Sequence, residues 1–73
     1  MPRFFVNIRF ADRLVHDAEG EVFTNLLAAV EFAIEGGREL AADGAFDEPC
    51  TFDISDQNGQ VLVSVPFRSF AVQ

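Results

Sequence analysis

Few residues in this chain could do chemistry. His16 is the single histidine and Cys50 the single cysteine, and carboxylates fall in groups: Asp17, Glu19 and Glu21; Asp47 and Glu48; Asp53 and Asp56. A histidine beside an aspartate can act as a base or a metal ligand, so His16 with Asp17 is the first pair to weigh. Zinc-type ligation needs further His or Cys donors at suitable spacing, and the chain has no second histidine and only the distant Cys50. His16 therefore reads as a surface or hydrogen-bonded strand residue. A nucleophilic cysteine needs a base and a field that lowers its pKa. Cys50 follows Asp47 and Glu48, whose charges act the other way, and it opens an alternating run on the apolar side, so it reads as a small core residue. The Asp53-x-x-Asp56-x-x-Gly59 spacing could gather oxygens around a hard cation. It lacks the closing Glu of a calcium loop, and turn formation explains the same residues. No phosphate-cradling glycine motif, serine elbow or HExxH motif is present. The expectation is a non-enzymatic protein with no catalytic, metal or cofactor-binding residue and no cofactor.

Charge narrows the partners. Twelve acids stand against five arginines, giving a net charge of −7 with no lysine. Phosphate backbones are bound mainly by cationic side chains, so neither nucleic acid nor an anionic membrane is expected. Arg3, Arg9 and Arg68 near Phe5 could form a small basic-aromatic patch on a sheet face, as in some RNA-binding modules, but the overall field opposes it. A basic protein partner suits this field. No apolar run approaches the roughly 18 residues that a membrane helix needs, and the opening MPRFFVNIRF does not read as a signal peptide. The expected location is the cytoplasm, in keeping with a lone thiol.

The elements that must position these residues follow from periodicity. Seventy-three residues make one small domain, 1–73, near the lower size limit for folding without disulfides or metals. From Arg3 to Phe10, Phe4, Val6, Ile8 and Phe10 alternate with Phe5, Asn7 and Arg9, the signature of a strand with one apolar face. After a short connection at Ala11–Arg13, Leu14 to Phe23 reads as a second, weaker strand, with a turn bracketed by Asp17 and Gly20. Thr24 or Asn25 can cap a helix that stops by Asp43-Gly44. Its apolar arc holds Leu26, Val30, Ala33, Ile34, Gly37, Leu40 and Ala41. Cys50 to Ser55 alternates again, and DQNG (Asp56–Gly59) reads as a tight hairpin turn into QVLVSVPF. Pro66 cannot donate to a ladder and belongs at a strand end or edge.

The order β-β-α-β-β predicts an α+β two-layer sandwich: a four-stranded, mainly antiparallel sheet with one helix on one face. The helix arc should cover Phe4, Val6, Ile8, Phe52, Ile54 and the row Val61, Val63 and Val65. The first and last strands, being most apolar, are candidates for the centre. Phe5, Val15, Leu62 and Phe67 then point away from the helix and form an apolar strip, which marks an interaction surface. Self-association as a homodimer, by sheet faces or strand edges, is the first expectation; an acidic inhibitor or antitoxin-like protein that binds a basic protein is the alternative.

Three segments taken together resemble a known family. The opening MPRFFVNIRF, then HDAEGEVF before an Ala-rich helix, then DQNGQVLVSVPF resemble a family of short bacterial proteins known only as a domain of unknown function. Its members share an M-P-R-aromatic-aromatic start, an acidic-x-x-Gly turn ahead of the helix and a D-x-x-G…V-P-F ending. The resemblance implies a stand-alone cytoplasmic domain and carries over no catalytic residue. A looser, architectural likeness is to small antitoxins with a partial ribonuclease-H-like fold, and fold alone does not carry function.

Gly36-Gly37 departs from the Ala- and charge-rich helix expected of that family. Each glycine costs about 1 kcal/mol relative to Ala inside a helix, which predicts a soft or kinked segment. Gly37 lies in the core arc, where a missing side chain lets the helix approach the sheet. Phe32 falls outside the arc and should meet either Phe46 or a partner chain, completing the candidate interface Phe5, Val15, Phe32, Leu62 and Phe67.

Overall fold

The computed structural model of the chain describes residues 2–44 and 48–67. Six elements follow one another: β1 (Arg3–Arg9), β2 (Leu14–Val15), β3 (Glu21–Val22), α1 (Leu26–Ala42), β4 (Cys50–Ser55) and β5 (Val61–Phe67). The sheet is antiparallel in the order β2-β1-β4-β5, and β3 also pairs with β1. The α+β two-layer expectation holds.

The expected second strand is divided in two. At one end of β1, Arg3 pairs with Val22 and Phe4 with Glu21; at the other, Ile8 pairs with Val15 and Arg9 with Leu14. Between those pairs, three β1 residues (5–7) face five (16–20), so two extra residues break the ladder. Asp17 repairs it with a side chain. Its Oδ2 accepts from the Val6 amide at 3.1 Å and its Oδ1 from the Gly20 amide at 3.0 Å, while Asn7 Oδ1 accepts from the Asp17 amide at 2.9 Å. Gly20 has φ +68, and a Cβ there would lie 2.7 Å from the Phe5 ring. The Asp17–Gly20 turn read from sequence is therefore a local requirement of both charge and space.

DQNG is a hairpin, with a three-residue loop in place of the two-residue turn that Asn-Gly suggests. The Asp56 amide donates to the Gln60 carbonyl at 3.0 Å, and Asp56 Oδ1 accepts from the amides of Asn58 and Gln60 at 2.9 and 3.0 Å. Only Gly59, at φ +83, is left-handed there, whereas a type I′ turn needs both central residues so.

α1 begins at Asn25, whose Oδ1 accepts from the Ala28 amide at 2.9 Å, and ends at Asp43 and Gly44 as expected. It is continuous through Gly36-Gly37, without the expected kink. Its buried residues are small: Ala29, Ala33 and Gly37. A Cβ on Gly37 would lie 2.9 Å from Phe52 Cε2 and 3.1 Å from Phe67 Cε1, so the close-approach reading of Gly37 is met. The core beneath comprises Phe4, Cys50, Phe52 and Ile54, flanked by Val6, Ile8, Phe23, Val63, Val65 and Phe67.

Strand order and two expected core positions differ from the sequence expectation. The central strands are β1 and β4, while β5 is an edge, which suits Pro66. Val61 leaves the core row because a bulge pairs it with Ser55 while Ile54 pairs with Val63, and it is 51% exposed. Leu40 is exposed although it falls in the helical arc.

Candidate functional site

The sheet face away from α1 was expected to carry the apolar strip, and it carries a polar network. Arg9 Nε and Nη2 donate to the two Asp53 carboxylate oxygens at 2.8 and 3.1 Å, and Ser64 Oγ donates to Asp53 Oδ1 at 2.7 Å. Asn7 Nδ2 donates to Ser55 Oγ at 3.2 Å. These residues meet because cross-strand register places Asp53 between Asn7 on β1 and Ser64 on β5. The Arg9 hydrogen bond holds the Asp53 carboxyl below the usual aspartate range, against the opposing effect of its burial. The same bond raises Arg9. Among the described residues no buried side-chain nitrogen or oxygen lacks a partner, so no buried member of this network is left unpaired.

The residues with chemical potential are dispersed. His16 is exposed and borders a recess of about 290 Å³ with Asn7, Asp17 and Ser55. Its neighbour Asp17 is committed to backbone amides. Cys50 is buried in the core, where desolvation, with Glu48 nearby, pushes its thiol up. Asp53 serves Arg9 and Ser64 while Asp56 closes the hairpin loop, so the two do not converge. Among the described residues no group of three His, Cys, Asp or Glu side chains could hold a metal. Of the basic patch, Arg3 donates to the Glu19 carbonyl and Arg9 is paired, whereas Arg68 lies outside the described residues.

The expected interface residues do not form one strip. Phe5 pairs with Ser55 on the polar face and is half-buried against Gly20. Val15 pairs with Ile8, which places it on the helix side, contrary to expectation. Phe67 also faces α1: its ring stacks on Phe52 with centroids 5.6 Å apart at 14°. Leu62, the extra residue of the β5 bulge, is exposed. Phe32 is 49% exposed and packs on Phe23, with centroids 5.3 Å apart; Phe46, its expected partner, lies outside the described residues.

Apolar surface is left open on the helix side instead. Phe32 packs toward Phe23, itself beside Phe4 of β1, and Gly37 sits on Phe52 of β4 and Phe67 of β5, so α1 crosses the sheet obliquely. Between the second half of α1 and β1 a groove of about 400 Å³ remains, lined by Val6, Ile8, Phe32, Gly36, Leu40 and Phe52. Among the described residues its charged lining is Asp17, Glu39 and Asp43. A Cβ on Gly36 would meet nothing within 4 Å among the described residues. Sequence reasoning missed this groove. Its one signal was the i, i+4, i+8 row Phe32–Gly36–Leu40, which lines a single side of a helix.

The class defined by this geometry is a small two-layer α+β module with a polar network on its bare sheet face and an apolar groove beside its helix. Across residues 3–68 it matches the family described as a domain of unknown function, DUF6894, and it belongs to that family. No curated protein and no solved structure matches the chain. No helix among the described residues is long and apolar enough to cross a membrane.

Proposed function

We propose that this chain is a non-enzymatic interaction module. The observation that carries this reading is the groove beside α1, where Phe32 and Leu40 remain exposed around an empty glycine position. An apolar cleft of this size, rimmed by charge, commonly marks a recognition site.

Self-association uses a different surface. A second copy would bring its own charge of −7 and the same acidic rim to the groove, and like charges across an interface oppose pairing. β5 lacks that acidic rim: it is an edge strand, and Gln57 to Phe67 carries no charged residue. Edge strands offer a template for pairing with a second chain. Pairing along Val61–Val65 would cover Val61 and Leu62, both exposed in the single chain.

Sedimentation equilibrium across the micromolar range separates these surfaces. A dimer abolished by Leu62→Lys supports the β5 edge. A dimer abolished by Gly36→Leu but not by Leu62→Lys makes the groove a contact between copies. A chain that stays monomeric at every concentration removes self-association and leaves only a different partner.

A further inference from the structure

We propose that the groove beside α1 binds a basic polypeptide segment carrying a large apolar side chain flanked by arginine or lysine. This rests on the reading of the chain as an interaction module, though not on its self-association.

The floor selects an apolar group. Val6, Ile8 and Phe52 lie beneath, and Phe32 and Leu40 form the helix-side wall. Gly36 leaves that wall open at its middle, since an added Cβ there would meet no described atom within 4 Å. The two adjacent glycines thus have different tasks. Gly37 brings α1 down onto Phe52 and Phe67, whereas Gly36 contributes nothing to that packing and keeps the groove unfilled.

The rim selects charge. Among the described residues the charged lining is Asp17, Glu39 and Asp43, with no cation beside them. Glu39 and Asp43 are exposed, and their carboxylates accept no hydrogen bond from the described residues. Asp17 is held by the Val6 and Gly20 amides and adds its charge at a fixed position. With a net charge of −7 behind this rim, a cationic partner is drawn in and an anionic one repelled. Nucleic acid and anionic lipid carry the wrong sign, and a second copy repeats the acidic rim. A basic polypeptide has both the charge and the side chains that the groove fits.

Fluorescence anisotropy tests this with a labelled peptide holding one phenylalanine and one leucine among four arginines. One control replaces both apolar residues with serine, and another replaces the arginines with glutamate. The intact probe should bind, and each control should bind roughly tenfold more weakly or worse. Gly36→Leu should weaken probe binding by a similar factor while the melting temperature holds or rises, because leucine favours a helix over glycine. Paired Glu39→Arg and Asp43→Arg should weaken it too, and should remove most of its salt dependence.

Equal binding to Gly36→Leu and the parent chain overturns the proposal. So does equal binding of the serine control, which would show charge attraction alone. Absence of probe binding in a chain that self-associates sinks this inference but spares the module reading; absence of both sinks the two together.

Discussion

On the face turned from α1, Arg9, Asp53, Ser64, Asn7 and Ser55 bond across three strands. On the face beneath α1, Phe4, Phe52 and Ile54 are buried, yet the groove at Gly36 leaves Phe32 and Leu40 in contact with water. The bare face is held by a polar network with exposed Leu14, Val22 and Val61 around it, whereas the covered face has an apolar groove beside its helix. The lesson is that exposure of backbone layers is a poor guide to where a partner docks. What matters is which side chains lack neighbours. Asp17 stands between the two regions, lining the groove on one side and the His16 recess on the other.

That contrast breaks hardest at Asp17. Asp17→Ala strips acceptors from the Val6 and Gly20 amides and should cost about 3 kcal/mol, since hydrogen bonds to a charged group are worth roughly 1.5–3 kcal/mol each. Urea denaturation reads this directly; a loss below about 0.5 kcal/mol would mean that water replaces the carboxylate freely. Next in size is Gly37→Leu, which forces a side chain onto Phe52 and Phe67. Overpacking of up to about 3 kcal/mol, less about 1 kcal/mol recovered in helix propensity, predicts a net loss near 2 kcal/mol. A stabilised Gly37→Leu would mean that α1 does not sit as closely as described.

The polar face is probed by pH. Asp53 titrates below its ordinary value of 3.8 when folded because Arg9 bonds to it. A carboxyl depressed in the folded state lends stability that is complete above about pH 4 and is lost as pH falls through the folded value. Asp53→Asn should therefore flatten the stability profile below pH 4 without altering its shape near neutrality. An unchanged acid limb would remove Asp53 from the network's energetics. The smallest effect belongs to Gly36→Ala, which should stabilise the chain by about 0.5–1 kcal/mol in thermal melts. A destabilised Gly36→Ala would show that this position is packed, and the groove closed.

Much of the fold was legible from one sequence because its signals are local. Alternation in β1 and β4, the Asn25 cap, the Gly44 terminator and the DQNG hairpin each depend on neighbours a few residues apart. The broken second strand was not legible, since its apolar residues resume on both sides of Asp17 and only pairing with β1 exposes the two extra residues. The polar face escaped for a related reason: Arg9 and Asp53 are 44 positions apart, and only the β1–β4 register brings them together. The groove depends on the angle at which α1 crosses the sheet, which helical phase does not specify. Phase placed Leu40 in the core and Phe32 outside it; both are exposed, on one row with Gly36.

The groove at Gly36, and not the bonded polar network of the opposite sheet face, is the proposed surface that a basic partner meets. Titrating the arginine-rich probe peptide into ¹⁵N-labelled protein tests it residue by residue. Amide shifts confined to Val6, Ile8 and the Phe32–Leu40 stretch, with Asp53 and Ser64 unmoved, are the predicted result. Shifts centred on Arg9, Asp53 and Ser64, with Gly36 silent, would contradict it.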